Sequence, residues 1–206
     1  MNNRLTDTNL ISGINKCLLN AEDLIKDATL LKENARIARA YTLFQLANEE
    51  IGKSLLLYFF ASLPDANKPE KFNEFKKEFI NHKIKTSKAI NLDSILLASI
   101  KRKSSRKKFY EAILLEYTQL ENLNNLKNYS LYTSIVDYKF KSPKEIITKK
   151  VLKSIEIRAT TRLALSKSFF EFTLPNFHVL KTQAIKTEGM FDIDSLAAEF
   201  INDLLK

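Results

Sequence analysis

The sequence predicts an all-α fold, a helical bundle interrupted by one short extended or hairpin segment near residues 129–142. Three observations carry this. The 206 residues include only three Gly and four Pro, too few turn formers to punctuate a sheet. Apolar residues recur near a 3.6-residue period along most of the chain. One stretch, "YSLYTSIVDYKFKSP" (Tyr129–Pro143), instead alternates aromatic and β-branched residues with polar ones. No linker-like tract or internal repeat divides the chain, so one domain is expected over residues 1–206.

The elements follow in order. Thr6 or Asp7 caps a first helix whose apolar stripe is Leu10, Ile14, Cys17, Leu18, Ala21, Leu24, Ile25, Ala28 and Leu31. A second helix is expected from about Ala35 to Leu63 and a break at Pro64–Glu70. A third carries Phe72, Phe75, Phe79 and His82 and continues through Ile84. "INLDSILLASI" reads as a further short helix, with Asn91 or Asp93 near its start. "KRKSSRKK" (Lys101–Lys108) is a solvated helix start or, on a sharper reading, a phosphate-binding edge. Helical patterning resumes from Phe109 to Lys127. Ser142-Pro143 then opens a long helix reaching about Thr173, before Pro175. A last helix is expected near Asp194–Leu205.

Composition bounds the function. A formal charge of +9 and a pI of about 9.4 suit an anionic partner such as RNA. A lone cysteine, Cys17, excludes an internal disulfide and reads as a small core residue. "MNNRLTDTNL" lacks a signal-like apolar region, and "SLLLYFFASL" is about half the length of a membrane span. A cytoplasmic protein without membrane contact is therefore expected. Two His and one Cys without metal-ligand spacing predict no metal site. With no Gly-rich phosphate loop and no nucleophile elbow, no cofactor is expected either. His178, among apolar neighbours in "LPNFHVL", reads as a packed histidine.

The chemistry concentrates in "LFQLANEEIGKSLLLYFFASL" (Leu43–Leu63), where Glu49, Glu50 and Lys53 interrupt an apolar helix beside Gly52. At 100° per residue Arg39, Leu43, Leu46, Glu50 and Lys53 share a stripe, while Glu49 points about 100° away. Gly52 costs about 1 kcal/mol relative to alanine, which close approach of another helix would explain. "NHKIK" (Asn81–Lys85) follows the Pro64–Glu70 turn at a height that levels His82 with Glu50. Glu49, Glu50, Lys53 and His82 are therefore expected as one connected polar site. Such a set suits metal-independent phosphodiester chemistry: histidine moves protons, a cation steadies phosphoryl charge, and glutamate orients the ring or takes a proton. It equally suits a buried polar knot that sets helix register.

Three blocks, "LNAEDLIKDATLLKENARIARAYTLFQLANEEIGKSLLL", "FKKEFINHKIKTSKAI" and "LNNLKNYSLYTSIVDYKFKSPKEIIT", resemble the AbiV family of bacterial abortive-infection proteins from about Leu19 to Lys150. The resemblance implies a HEPN-like all-α fold, a homodimer, phage defence and arrest of phage protein production. It also implies a ribonuclease signature, an Arg followed four to six residues later by a His. Neither His82 nor His178 is preceded by such an Arg; Lys77–His82 comes nearest, and lysine lacks the bidentate fork of arginine.

Together these readings predict an abortive-infection effector that arrests translation by cleaving or binding RNA, triggered by a phage-encoded protein. Its catalytic candidates are Glu49, Glu50, Lys53 and His82. Its RNA-binding candidates are Arg39, Lys83, Lys85, Arg102, Lys103, Arg106, Lys107 and Lys108, with RNA or the ribosome as target. The alternative is a non-catalytic module that sequesters a translation component or a phage protein.

Overall fold

A computed structural model describes residues 5–186 apart from residue 100. Among these are nine helices and one two-stranded antiparallel hairpin, an all-α bundle. The order is α1 (Asp7–Glu33), α2 (Ile37–Ser62), α3 (Lys68–Ile80), α4 (His82–Ser99), α5 (Lys103–Thr118) and α6 (Leu120–Tyr129). Then come β1 (Ser134–Val136), β2 (Lys139–Lys141), α7 (Pro143–Ile146), α8 (Lys149–Thr173) and α9 (Phe177–Lys186).

Helix α2 is the spine. It is buried on most sides because α1, α4 and α8 all pack on it. Tyr41, Phe44, Ala47, Ile51 and Leu55 meet Leu10, Ile14 and Ala21 of α1 and Ile155, Ala159 and Phe170 of α8 in one core. Aromatic edges close one end, where Tyr58 touches Phe169, Phe170 and Phe177. Phe60 stacks on Phe75 of α3 at 4.3 Å between centroids. A smaller core of Ile90, Leu97 and Ile113 joins α4 to α5.

Local signals set the helix ends. Thr6 caps α1 by accepting from the Asn9 N–H. Ala35, at φ 57°, turns the chain out of α1. Three boundaries differ from expectation. The third helix does not run through His82: Asn81 is extended, and its side chain accepts from the N–H groups of Lys83 and Ile84 to start α4. That new helix then absorbs "INLDSILLASI" without a second start. The Pro143 helix is only one turn, because Ile147 is extended and Thr148 caps α8 afresh. The helix expected near Asp194–Leu205 lies outside the described residues.

His178 is exposed, which corrects its reading as a packed residue. Phe177 opens α9 and takes the core position, and the next residue turns about 100° away from it. No helix among the described residues is long and apolar enough to cross a membrane.

Candidate functional site

The adjacent glutamates of α2 face different neighbours, and only Glu49 belongs to a buried polar centre. Helical geometry separates Glu49 and Glu50 by about 100°, so one carboxylate faces α4 and α6 and the other faces α1 and α3.

Glu49 is the hub of the first centre. Its carboxylate is 2% exposed. Oε1 accepts from Lys127 Nζ at 2.7 Å, and Oε2 lies 2.6 Å from His82 Nδ1 and 3.0 Å from Lys85 Nζ. Lys85 and Lys127 are both buried. The His82 ring, by contrast, is 53% exposed. An ionised carboxylate only accepts, so Nδ1 carries the proton and Nε2 is left to exchange one with a ligand. Two ammonium groups face one carboxylate, so the centre carries excess positive charge next to a half-exposed imidazole. That charge favours an arriving phosphate.

Gly52 makes this assembly possible. A Cβ there would stand 1.8 Å from the Lys85 carbonyl oxygen, so only glycine lets the α4 backbone come this close. That approach brings Lys85 and His82 against Glu49. A further contact holds the same turn of α4: Gln45 Nε2 donates to Thr86 Oγ1 at 3.1 Å, and that hydroxyl donates to the His82 carbonyl at 3.0 Å.

Burial pushes the Glu49 carboxyl up. Hydrogen bonds from Lys127 and His82 and the charges of Lys127 and Lys85 outweigh burial and hold it below its ordinary value of 4.5. A carboxylate lowered in the fold stabilises it above the unfolded pKa, and that stabilisation is lost as pH falls through the folded value. Stability should therefore decline below about pH 4.5, and Glu49→Gln should make the decline shallower. Urea melts of both proteins over that range measure the slopes.

The structure does not place Glu50 and Lys53 with His82. They pair with each other, and Lys53 lies 5.5 Å from the Phe79 ring centre. Cys17 of α1 adjoins them. Burial first, and then Glu50, push its thiol up to about 12, which makes it an inert core group. The level match across the turn set His82 opposite Glu50, whereas the structure sets it against the neighbouring Glu49.

Of the RNA-binding candidates, Arg39 is exposed ten residues before Glu49, about 15 Å along the axis. Lys83 is exposed and pairs with Glu121. Lys85 is buried on Glu49 rather than on the surface. Arg102, Lys103, Lys107 and Lys108 are exposed at the start of α5, while Arg106 Nε donates to the Leu97 carbonyl at 3.4 Å.

The second centre has no counterpart in the sequence reading. Arg162 of α8 is 1% exposed. It makes paired bonds to Asp93 (Nε 3.2 Å, Nη2 2.6 Å) and Glu116 (Nη1 3.0 Å, Nη2 2.8 Å), and Nη1 also reaches Asn48 at 3.3 Å. Arg158 adds a 3.2 Å contact to Glu116. Burial opposes the guanidinium charge, but the two carboxylates overcome it and hold its pKa above the ordinary arginine value. These groups tie α2, α4, α5 and α8 together. One signal was available: Arg162 falls in the largely apolar stripe Ile155, Ala159 and Phe170, just as Lys127 lies four residues after Leu123. A charge at a core position of a helix needs a partner inside.

No group of three or more potential metal ligands occurs among the described residues. The HEPN_AbiV family profile, described as AbiV, matches residues 9–164, most of the chain. No curated protein and no solved structure matches significantly.

Proposed function

Because this chain belongs to the AbiV family of HEPN-type proteins, we propose that it is an abortive-infection effector that arrests translation by acting on RNA. The observation that carries the reading is the Glu49–His82 pair: a half-exposed imidazole held at 2.6 Å by a buried carboxylate, with two lysines behind it. Glu49 is too buried to meet substrate, so it orients the ring. His82 Nε2 takes the proton of a ribose 2′-hydroxyl. The 2′-oxygen then bonds to the adjacent phosphorus, the P–O5′ bond breaks, and the imidazolium returns its proton to O5′. The products are a 2′,3′-cyclic phosphate and a 5′-hydroxyl. The excess charge of Lys85 and Lys127 steadies the phosphoryl oxygens during the step.

In this reading Arg102, Lys103, Lys107 and Lys108 contact the RNA backbone, the protein acts as a homodimer, and a phage-encoded protein triggers it. Glu50 and Lys53 support the helix packing around α1.

A second reading draws on the same centre. Lys85 and Lys127 are both buried against Glu49, an arrangement that also suits a knot setting helix register. The protein would then sequester its target without chemistry. Sequencing of RNA ends in infected cells separates the two. Under the catalytic reading, His82→Ala removes the new 5′-hydroxyl ends and the defence while Tm changes little, because the ring is half exposed. Unchanged RNA ends, with defence intact in the folded variant, would reject cleavage and favour sequestration.

A further inference from the structure

The hairpin β1–β2 presents large apolar side chains that nothing among the described residues covers. Its register pairs Ile135 with Phe140. These cross-strand partners share a face, and they are 64% and 79% exposed. Tyr132, ahead of β1, is exposed too, and Tyr138 at the tip is wholly so.

The turn itself is strained. Asp137 and Tyr138 have φ of 53° and 60°. A two-residue hairpin turn with both φ positive matches strand twist but favours glycine at its second position. Tyrosine there costs backbone energy, and a fully exposed ring recovers none of it by packing. Strain without a return inside the fold points to a use outside it.

The surrounding charges indicate the occupant. The segment 129–150 holds five lysines against two carboxylates, Asp137 and Glu145. Both carboxylates are engaged, Asp137 by Lys141 at 3.3 Å and Glu145 by the Ser142 N–H at 2.7 Å. Lys139, Lys144, Lys149 and Lys150 are exposed. Aromatic faces among cations are the recognition surface of single-stranded nucleic acid, where bases stack and lysines follow the phosphates. The hairpin is also continuous with the Glu49 centre. Lys127, which reaches Glu49, lies one turn before Ser130, and Ser130 bonds Thr42 of α2 at 2.6 Å. Thr42 and Glu49 are about 10 Å apart along the helix.

We infer that the hairpin is a stacking platform for single-stranded RNA, with Tyr138 and Phe140 taking bases and Lys139 and Lys144 taking phosphates. The inference rests on the RNA reading above and adds the site that grips the strand.

Fluorescence anisotropy of the full chain with a labelled single-stranded RNA of about 12 nucleotides tests it. Phe140→Ala and Tyr138→Gly should each weaken binding about 5- to 100-fold, and Tyr138→Phe should bind like wild type. Tyr138→Gly should also match or exceed the wild-type Tm, because it relieves the positive φ. Loss of affinity would then not be loss of fold. Wild-type affinity in both Phe140→Ala and Tyr138→Gly would overturn the platform, as would wild-type protein that binds no single-stranded RNA. So would variants that change only the oligomeric state in light scattering, which would assign the face to a second copy. RNA that wild type binds through the hairpin but never cleaves would sink the cleavage reading and leave the platform standing.

Discussion

Gly52→Ala is expected to destabilise the protein by about 3 kcal/mol or more, although alanine is the better helix former by about 1 kcal/mol. The new methyl would lie 1.8 Å from the Lys85 carbonyl oxygen, 2.6 Å from its carbonyl carbon and 3.1 Å from its Cα. All three atoms are backbone, so no rotamer change relieves the clash. Helix α4 must move away from α2 by more than an ångström, roughly the shortfall from ordinary van der Waals contact. That movement opens the Glu49–His82 hydrogen bond and the Gln45–Thr86 bond together. Gly13→Ala is the matched control. Its methyl would meet only the Leu57 side chain, whose Cδ1 at 3.1 Å is the one tight contact and can give way. Its effect should stay within about 1 kcal/mol in either direction. Chemical denaturation of the two variants measures the contrast. Equal stabilities would mean that the α2–α4 contact is looser than described.

Arg162→Met should cost about 3–5 kcal/mol at neutral pH, a large share of the ~5–15 kcal/mol that holds a typical domain together. Methionine fills similar space but leaves Asp93 and Glu116 inside the bundle without their shared cation. Arg158 still reaches Glu116, so Asp93 loses most. The deficit should shrink as pH falls. Protonation removes the buried charges that the variant leaves without a partner. The gap between the denaturation curves of variant and wild type should therefore be wide at pH 7 and narrower at about pH 5. A deficit that is independent of pH would assign Arg162 to packing alone. Replacing Arg162, Asp93 and Glu116 together with apolar residues should restore much of the stability, since a whole buried ion network often contributes little net.

Much of the architecture was legible because it is local. The 3.6-residue stripe of α1, the Thr6 cap, the break at Pro64 and the alternating texture of the hairpin all follow from short-range sterics and burial of one face. The fate of Asn81 was not legible in the same way. "INHKIK" continues a helical pattern, and only the capping bonds of the Asn81 side chain convert it into a stop and a fresh start. The short α7 has a similar origin, since Thr148 caps a new helix inside a run that reads as one.

The sequence by itself determined that charges stand inside an apolar helix, that a glycine beside them invites a close neighbour, and that His82 is the histidine near them. Those statements need only helical periodicity and residue chemistry. Tertiary structure alone decided that Glu49, rather than Glu50, meets His82. It also decided that Lys127, 78 residues further along, completes the centre, and that Arg162 holds a second one. The physical reason is angular. Neighbouring residues on a helix differ by about 100°, and which of two adjacent carboxylates meets a partner depends on how the packed helices are rotated. Here that rotation follows from the seating of the Lys85 backbone on Gly52, a contact between residues 33 positions apart that no local pattern encodes.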